Sequence, residues 1–126
     1  MEHIDILIID DEIKFADMLA KRIELRGCSK AVCYDGRSAL EWVKENTGRV
    51  SLILLDLRLP DLYGTEVLIG IKKINPDIPV IILTGHGTEK DRQQCEKLGA
   101  YRFIHKPLNI EVLMTIIEHI REKSAC

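Results

Sequence analysis

Five positions in this chain carry side chains that could do chemistry together. Asp10 and Asp11, with Glu12 beside them, follow the apolar run Ile4 to Ile9; Asp56 ends the run Val50 to Leu55. Thr84 ends the run Val80 to Leu83, and Lys106 follows the short segment Tyr101 to His105. Carboxylates crowded into one crevice cannot all ionise cheaply, so one pKa should rise unless a cation enters. Hard oxygen ligands of this kind suit Mg²⁺, which binds through a couple of carboxylates and keeps waters for a phosphate to displace. A carboxylate is itself a nucleophile and can form an aspartyl phosphate. A lysine supplies a point charge for a phosphoryl oxygen, and a threonine hydroxyl can donate to another. Phosphoryl transfer needs little beyond such positioning and charge stabilisation.

The elements that must position these groups alternate along the chain. Continuous apolar runs read as strands buried on both faces. They are expected at 4–9, 31–34 (a weak, cysteine-containing one), 50–56, 80–84 and 101–105. Pro60 cannot donate to a ladder, so the third strand is over by then. Helical spacing follows each run. Phe15, Leu19 and Ile23, with Ala16 and Ala20, mark a helix from Glu12 to Arg26, stopped by Gly27. Ala39, Leu40 and Val43 mark a short one after the Asp35-Gly36 turn. Val67, Leu68, Ile71 and Ile74 mark a third, ended by Asn75-Pro76. Residues 88–98 form a polar helix whose thin stripe is Cys95 and Leu98. Val112, Leu113, Ile116, Ile117 and Ile120 face inward from a last helix capped by Asn109. Five alternations call for an α/β fold, a parallel sheet covered by helices on both faces. In the doubly wound, flavodoxin-like (βα)5 order 2-1-3-4-5, strands one and three are neighbours at the switch point, where ligand sites gather. Asp10, Asp11 and Asp56 would then converge at one sheet edge.

Composition narrows the classes. The chain has 126 residues, 46% apolar and 30% charged, ordinary for a single globular domain. A net charge of −2 does not favour direct nucleic-acid binding. Apolar runs are too short to span a bilayer, and the acidic Met1-Glu2-His3-Ile4-Asp5 lacks the basic start of a signal peptide. A cytoplasmic protein without membrane contact is expected. Cys28, Cys33, Cys95 and Cys126 show no zinc spacing and read as reduced thiols. The four histidines show no metal pairing.

Taken in order, Asp10-Asp11, Asp56 ahead of Leu59-Pro60, Thr84-Gly85 and Lys106-Pro107 resemble the receiver domains of bacterial two-component response regulators. The resemblance covers essentially the whole chain, so residues 1–126 are expected to be one receiver domain. It implies that Asp56 is the phosphoacceptor. It implies that Asp11 directly, and Asp10 through water, hold Mg²⁺ (or Mn²⁺) together with Asp56 and the backbone carbonyl of Arg58. Thr84 matches the switch hydroxyl, Lys106 the family lysine, and Phe103 the switch aromatic, where tyrosine is commoner. Arg58 and His86, each two residues past a key position, are implied to border the phosphoryl group and tune its lifetime. The Lys106-Pro107 bond is implied to be cis. The implied partners are a sensor histidine kinase or histidine phosphotransfer protein, and an output domain or protein read by the 88–122 face, with a dimer through that face on phosphorylation. The run Leu83-Thr84-Gly85-His86-Gly87-Thr88 is similar to receivers joined to sigma-54-dependent transcription activators.

Blander and rival readings stand beside this one. Singly, Asp10-Asp11 is a strand exit with helix capping, Thr84 a strand end and Phe103 core. Segment 88–98 is either a solvated helix or a low-stability element suited to switching. A haloacid-dehalogenase-like phosphatase also uses aspartate, Mg²⁺ and lysine, but typically carries a second acid where this chain has Arg58, and the chain has no room for a cap domain. A phosphate-independent interaction module would have no use for all five site residues. The expected activity is therefore a phosphoacceptor switch with its own phosphorylation and dephosphorylation chemistry, not an enzyme acting on other molecules.

Overall fold

In a computed structural model, which describes residues 3–124, ten elements alternate along the chain. They are β1 (Ile4–Ile9), α1 (Ile13–Leu25), β2 (Lys30–Cys33), α2 (Gly36–Glu45), β3 (Val50–Leu55), α3 (Gly64–Ile74), β4 (Val80–Thr84), α4 (Glu89–Lys97), β5 (Arg102–His105) and α5 (Ile110–Ser124). The five strands form one parallel sheet in the order β2-β1-β3-β4-β5. This is the doubly wound, flavodoxin-like order expected for the chain.

Each strand divides its apolar side chains between two cores, because successive residues point to opposite faces. Leu7, Ile9, Ile53, Leu55, Val80 and Ile82 pack with Ala39, Val43, Val67, Leu68, Ile71 and Cys95 under α2, α3 and α4. Ile6, Ile8, Leu52, Leu54, Ile81 and Leu83 pack with Ala16, Leu19, Ala20, Ile23, Leu113, Ile117 and Ile120 under α1 and α5. Burying both faces of β1, β3 and β4 is what makes these runs apolar throughout.

Capping follows local chemistry. Asp35 accepts from Ser38 N–H at 2.8 Å and starts α2. Thr88 and Asp91 form a reciprocal capping box on α4. Asn109 accepts from Glu111 N–H at 2.9 Å at the head of α5. Within α4 only Cys95 is buried, and Arg92 pairs with Glu89 and Glu96 of the same helix.

Some expectations need correction. Val112 is 51% exposed, so the inward face of α5 is Leu113, Ile117 and Ile120, with Ile116 half-buried. Val112 lies one position off the stripe, about 100° round the helix. Phe15 is half-buried, because it stands at the rim of α1 facing the strand ends. Tyr34 lies past the end of β2 and donates to Asp17 at 2.6 Å. Cys28, Cys33 and Cys95 are buried and free; Cys126 lies outside the described residues. No helix among the described residues is long and apolar enough to cross a membrane.

Candidate functional site

The registers of β1 and β3 bring the acids together. Ile9 pairs with Leu55, and Asp56 N–H donates to Ile9 O at 2.9 Å. Asp10 and Asp56 therefore leave adjacent strands at the same level, both 2% exposed. One oxygen from each of Asp10, Asp11 and Asp56 lies within 4.8 Å of the others, and Asp11 faces solvent.

Lys106 reaches this cluster from the end of β5, where its own N–H donates to Thr84 O at 2.9 Å. Its Nζ lies 2.9 Å from Asp10 Oδ2 and 2.9 Å from Glu12 Oε1, and 3.4 Å from Asp56 Oδ2. The ring of Phe15 lies 4.2 Å beneath the ammonium, a cation–π contact. Glu12 and Phe15 thus join the site, and neither was singled out for it from sequence. Glu12 was visible only as the third acid in a row. Phe15 sat on an apolar stripe that gave it no reason to differ from Leu19. The Lys106-Pro107 peptide is cis.

The electrostatics are those of a site short of positive charge. Burial pushes the Asp10 carboxyl up to about 6, with the nearby Asp56 adding to the push, against Lys106 and the Glu12 N–H, which favour the anion. Burial also disfavours the Lys106 ammonium, but hydrogen bonds to Asp10 and Glu12 and the charge of Asp56 prevail and hold its pKa above the ordinary lysine value. One lysine is shared by three carboxylates. The donor set is hard oxygen, it is partly open at Asp11, and it holds a surplus of negative charge. It fits a small divalent cation.

Thr84 is fully buried and continues the face of Val80 and Ile82, toward α3 and α4. Its Oγ1 accepts from His86 N–H at 3.2 Å. The structure thus brings Asp10, Asp11, Asp56 and Lys106 into one cluster and keeps the Thr84 hydroxyl in its own turn. Phe103 pairs with Ile82 in register and packs on the same core. A Cβ on Gly87 would run into the Phe103 ring and meet Thr84 Cγ2 at 3.0 Å, so Gly87 leaves the ring its place. His105 meets Phe103 edge-on at 5.3 Å and its Nε2 lies 3.0 Å from Gly87 O. Arg58 and His86, both exposed, line one cavity of about 330 Å³ beside the cluster, with Tyr63 and Gln94. Arg58 N–H points at Asp56 Oδ1 over 3.4 Å.

Gly64 closes the loop after Asp56. A Cβ there would lie 2.6 Å from both Asp56 O and Leu57 Cα, which are backbone and cannot yield cheaply. Gly64→Ala is therefore expected to lower unfolding free energy by about 1–3 kcal/mol, the usual cost of overpacking. Chemical denaturation would measure it, and a loss near zero would show that the loop gives way freely.

The family model described as the response regulator receiver domain matches residues 6–118. The chain is 34% identical over 117 residues to the transcriptional regulatory protein ZraR of Escherichia coli, covering 93% of this chain and 26% of that one. It spans between a quarter and a half of the length of the curated relatives it matches. A response regulator receiver domain protein from Clostridium thermocellum superposes with a TM-score of 0.89 at 30% identity, covering 98% and 99% of the two chains. A response regulator from Burkholderia pseudomallei, solved with a phosphorylated aspartic acid and a calcium ion, superposes with a TM-score of 0.81 at 26% identity, over 97% of this chain and 73% of that one.

Proposed function

The chain belongs to the response regulator receiver family, and from that premise we propose that its switch is thrown by transfer of a phosphoryl group to Asp56. Receivers of this family are signalling switches of two-component systems. The observation that carries the assignment is the meeting of buried Asp56 with Asp10, Asp11 and the Nζ of Lys106 at the carboxyl edge of the sheet.

Mg²⁺ (or Mn²⁺) would be held by Asp11 directly, Asp10 through water, Asp56 and the Arg58 carbonyl, and would offset the charge of the carboxylates and the incoming phosphoryl group. The chain's own residues do the rest. An oxygen of Asp56 attacks phosphorus of a phosphohistidine on a sensor kinase or a histidine phosphotransfer protein. The new P–O bond forms as the P–N bond breaks, and the imidazole departs and takes up a proton. Lys106 turns from Asp10 and Glu12 to donate to a phosphoryl oxygen, and the Thr84 hydroxyl, which accepts from His86 N–H, turns to donate its own proton to a second phosphoryl oxygen. Phe103 moves into the space Thr84 leaves. The 88–122 face then changes its affinity for an output domain or protein, or pairs with a second copy, because the phosphoryl group favours one of two states. Arg58 and His86, on the flanking cavity, tune how fast water removes the group.

On this reading the receiver domain takes in residues 1–126 and works in the cytoplasm, where kinase phosphohistidines form. The name of the Escherichia coli relative supports a transcriptional output. The test is intact mass after incubation with acetyl phosphate and Mg²⁺, the expected result being one added phosphoryl group. A wild-type chain that gains none refutes the proposal. Cation binding is checked separately. Mg²⁺ is expected to raise the melting temperature of the wild type, and Asp11→Asn to abolish most of that rise, since ligand binding stabilises only the state that binds. An equal rise in both would take Asp11 out of the cation site.

A further inference from the structure

The loop from Asp56 to Gly64 is held by more than the strand and helix it joins. On its inner side Gly64 N–H donates to Leu57 O at 2.8 Å, and Arg58 and Tyr63 pair as an isolated antiparallel bridge. At its outer turn Asp61 reaches across to α2. Oδ1 accepts from Gly36 N–H at 2.8 Å, and Oδ2 from Arg37 N–H at 2.9 Å. These are the first amides of α2, which have no partner within the helix, and an acid there is favoured by the helix dipole. Yet α2 already has a local cap in Asp35, which serves the next amide along, Ser38 N–H. Apolar contact follows the same line: a Cβ on Gly36 would lie 3.0 Å from Leu62 Cδ1 and 3.1 Å from its Cβ. The loop is seated on α2 by a carboxylate fork and a leucine.

Arg58 lies three residues before Asp61 on this loop. A side-chain ligand can adjust its rotamer, but a backbone carbonyl is aimed only by fixing the peptide that carries it. We propose that Asp61 is a positioning residue for the cation site: its grip on Gly36 and Arg37 sets the loop backbone so that the Arg58 carbonyl faces the carboxylate cluster. This rests on the reading that the cluster binds Mg²⁺ with that carbonyl as a ligand. α2 touches no reacting group, and Asp61 makes it part of the site's frame.

The test is calorimetric titration of the whole chain with Mg²⁺, for the wild type, Asp61→Ala, Asp61→Asn and Asp35→Ala. Asp61→Ala is expected to bind about tenfold more weakly, the scale of losing a partner that orients a ligand. At saturating Mg²⁺ its rate of phosphorylation by acetyl phosphate returns to that of the wild type. Asp61→Asn keeps an acceptor for one amide and falls between. Asp35→Ala removes the other cap of the same helix and binds as the wild type does. Unchanged affinity in Asp61→Ala, or in Asp61→Asn should the alanine variant fail to fold, overturns the proposal. So does an equal loss in Asp61→Ala and Asp35→Ala, which would reduce Asp61 to a helix cap. A wild type that binds no Mg²⁺ instead overturns the cation site itself, and the proposal with it.

Discussion

Asp56→Ala is expected to gain no mass from acetyl phosphate and Mg²⁺ under conditions that add one phosphoryl group to the unaltered chain. The other two acids cannot stand in for it. Asp10 is engaged by Lys106 and by the Glu12 N–H. Asp11 lies out in solvent and makes no contact with the lysine. Asp56 is buried at the end of the middle strand of the sheet, and Lys106 stands close enough to reach a group attached to it. The loss will not be an artefact of unfolding. Removing one of three crowded carboxylates relieves repulsion in the cation-free state, so the melting temperature in a chelator should hold or rise. A variant that still takes up phosphate at wild-type level would move the acceptor to another residue.

Lys106→Met carries the second large effect, and it depends on pH. Removing one partner of a buried ion pair typically costs about 3–5 kcal/mol, and here Asp10 and Asp56 lose their main internal cation. Asp10 can escape by taking a proton. Its carboxyl already stands at about 6 through burial, and loss of Lys106 moves it higher. A carboxyl raised above its unfolded value of about 3.9 contributes stability that is fully present below that value. That contribution is lost as pH rises through the folded pKa. The lysine's own linkage is complete at any pH well below its ordinary pKa of about 10.4. In chelator, the variant's deficit in melting temperature should therefore be large near pH 7.5 and shrink near pH 5. A deficit equal at both pH values would show that Asp10 does not carry it. In the same variant, phosphorylation by acetyl phosphate should slow by about a hundredfold, the scale of losing one donor to developing charge. A wild-type rate would remove Lys106 from the chemistry.

Most of this site could be read from strand ends. Apolar runs terminate where the core terminates, so Asp10, Asp56 and Thr84 had to emerge at one sheet edge once the strands were parallel. Lys106 followed as the residue just past the short run Tyr101 to His105. The helices were legible where a stripe met a stop, as from Val67 to Ile74 before Pro76. What escaped was set by reach rather than by pattern. Nothing in the spacing of Glu12 foretold that its carboxylate would share Lys106 with a residue on the neighbouring strand. No pattern in the sequence marks Asp61, because its partners are amides of a helix 24 and 25 positions earlier in the chain. Val112 misled because a five-residue apolar set covers a wider arc than the sheet can bury. The reason for glycine at position 87 is visible only with the Phe103 ring beside it.

One feature of α4 has meaning on a longer timescale than signalling. The helix is attached through Cys95, and its visible ion pairs join Arg92 to its own Glu89 and Glu96. Its capping box is likewise internal. A helix so self-contained can accept new outward residues with little penalty to the rest of the fold, since surface changes away from special features usually stay within about 0.5 kcal/mol. If partners read the 88–122 face, as proposed, gene duplicates could diverge in what this helix recognises while inheriting the buried acids unchanged. On that reading, the low cost of change at α4 would let one chemical centre serve many destinations.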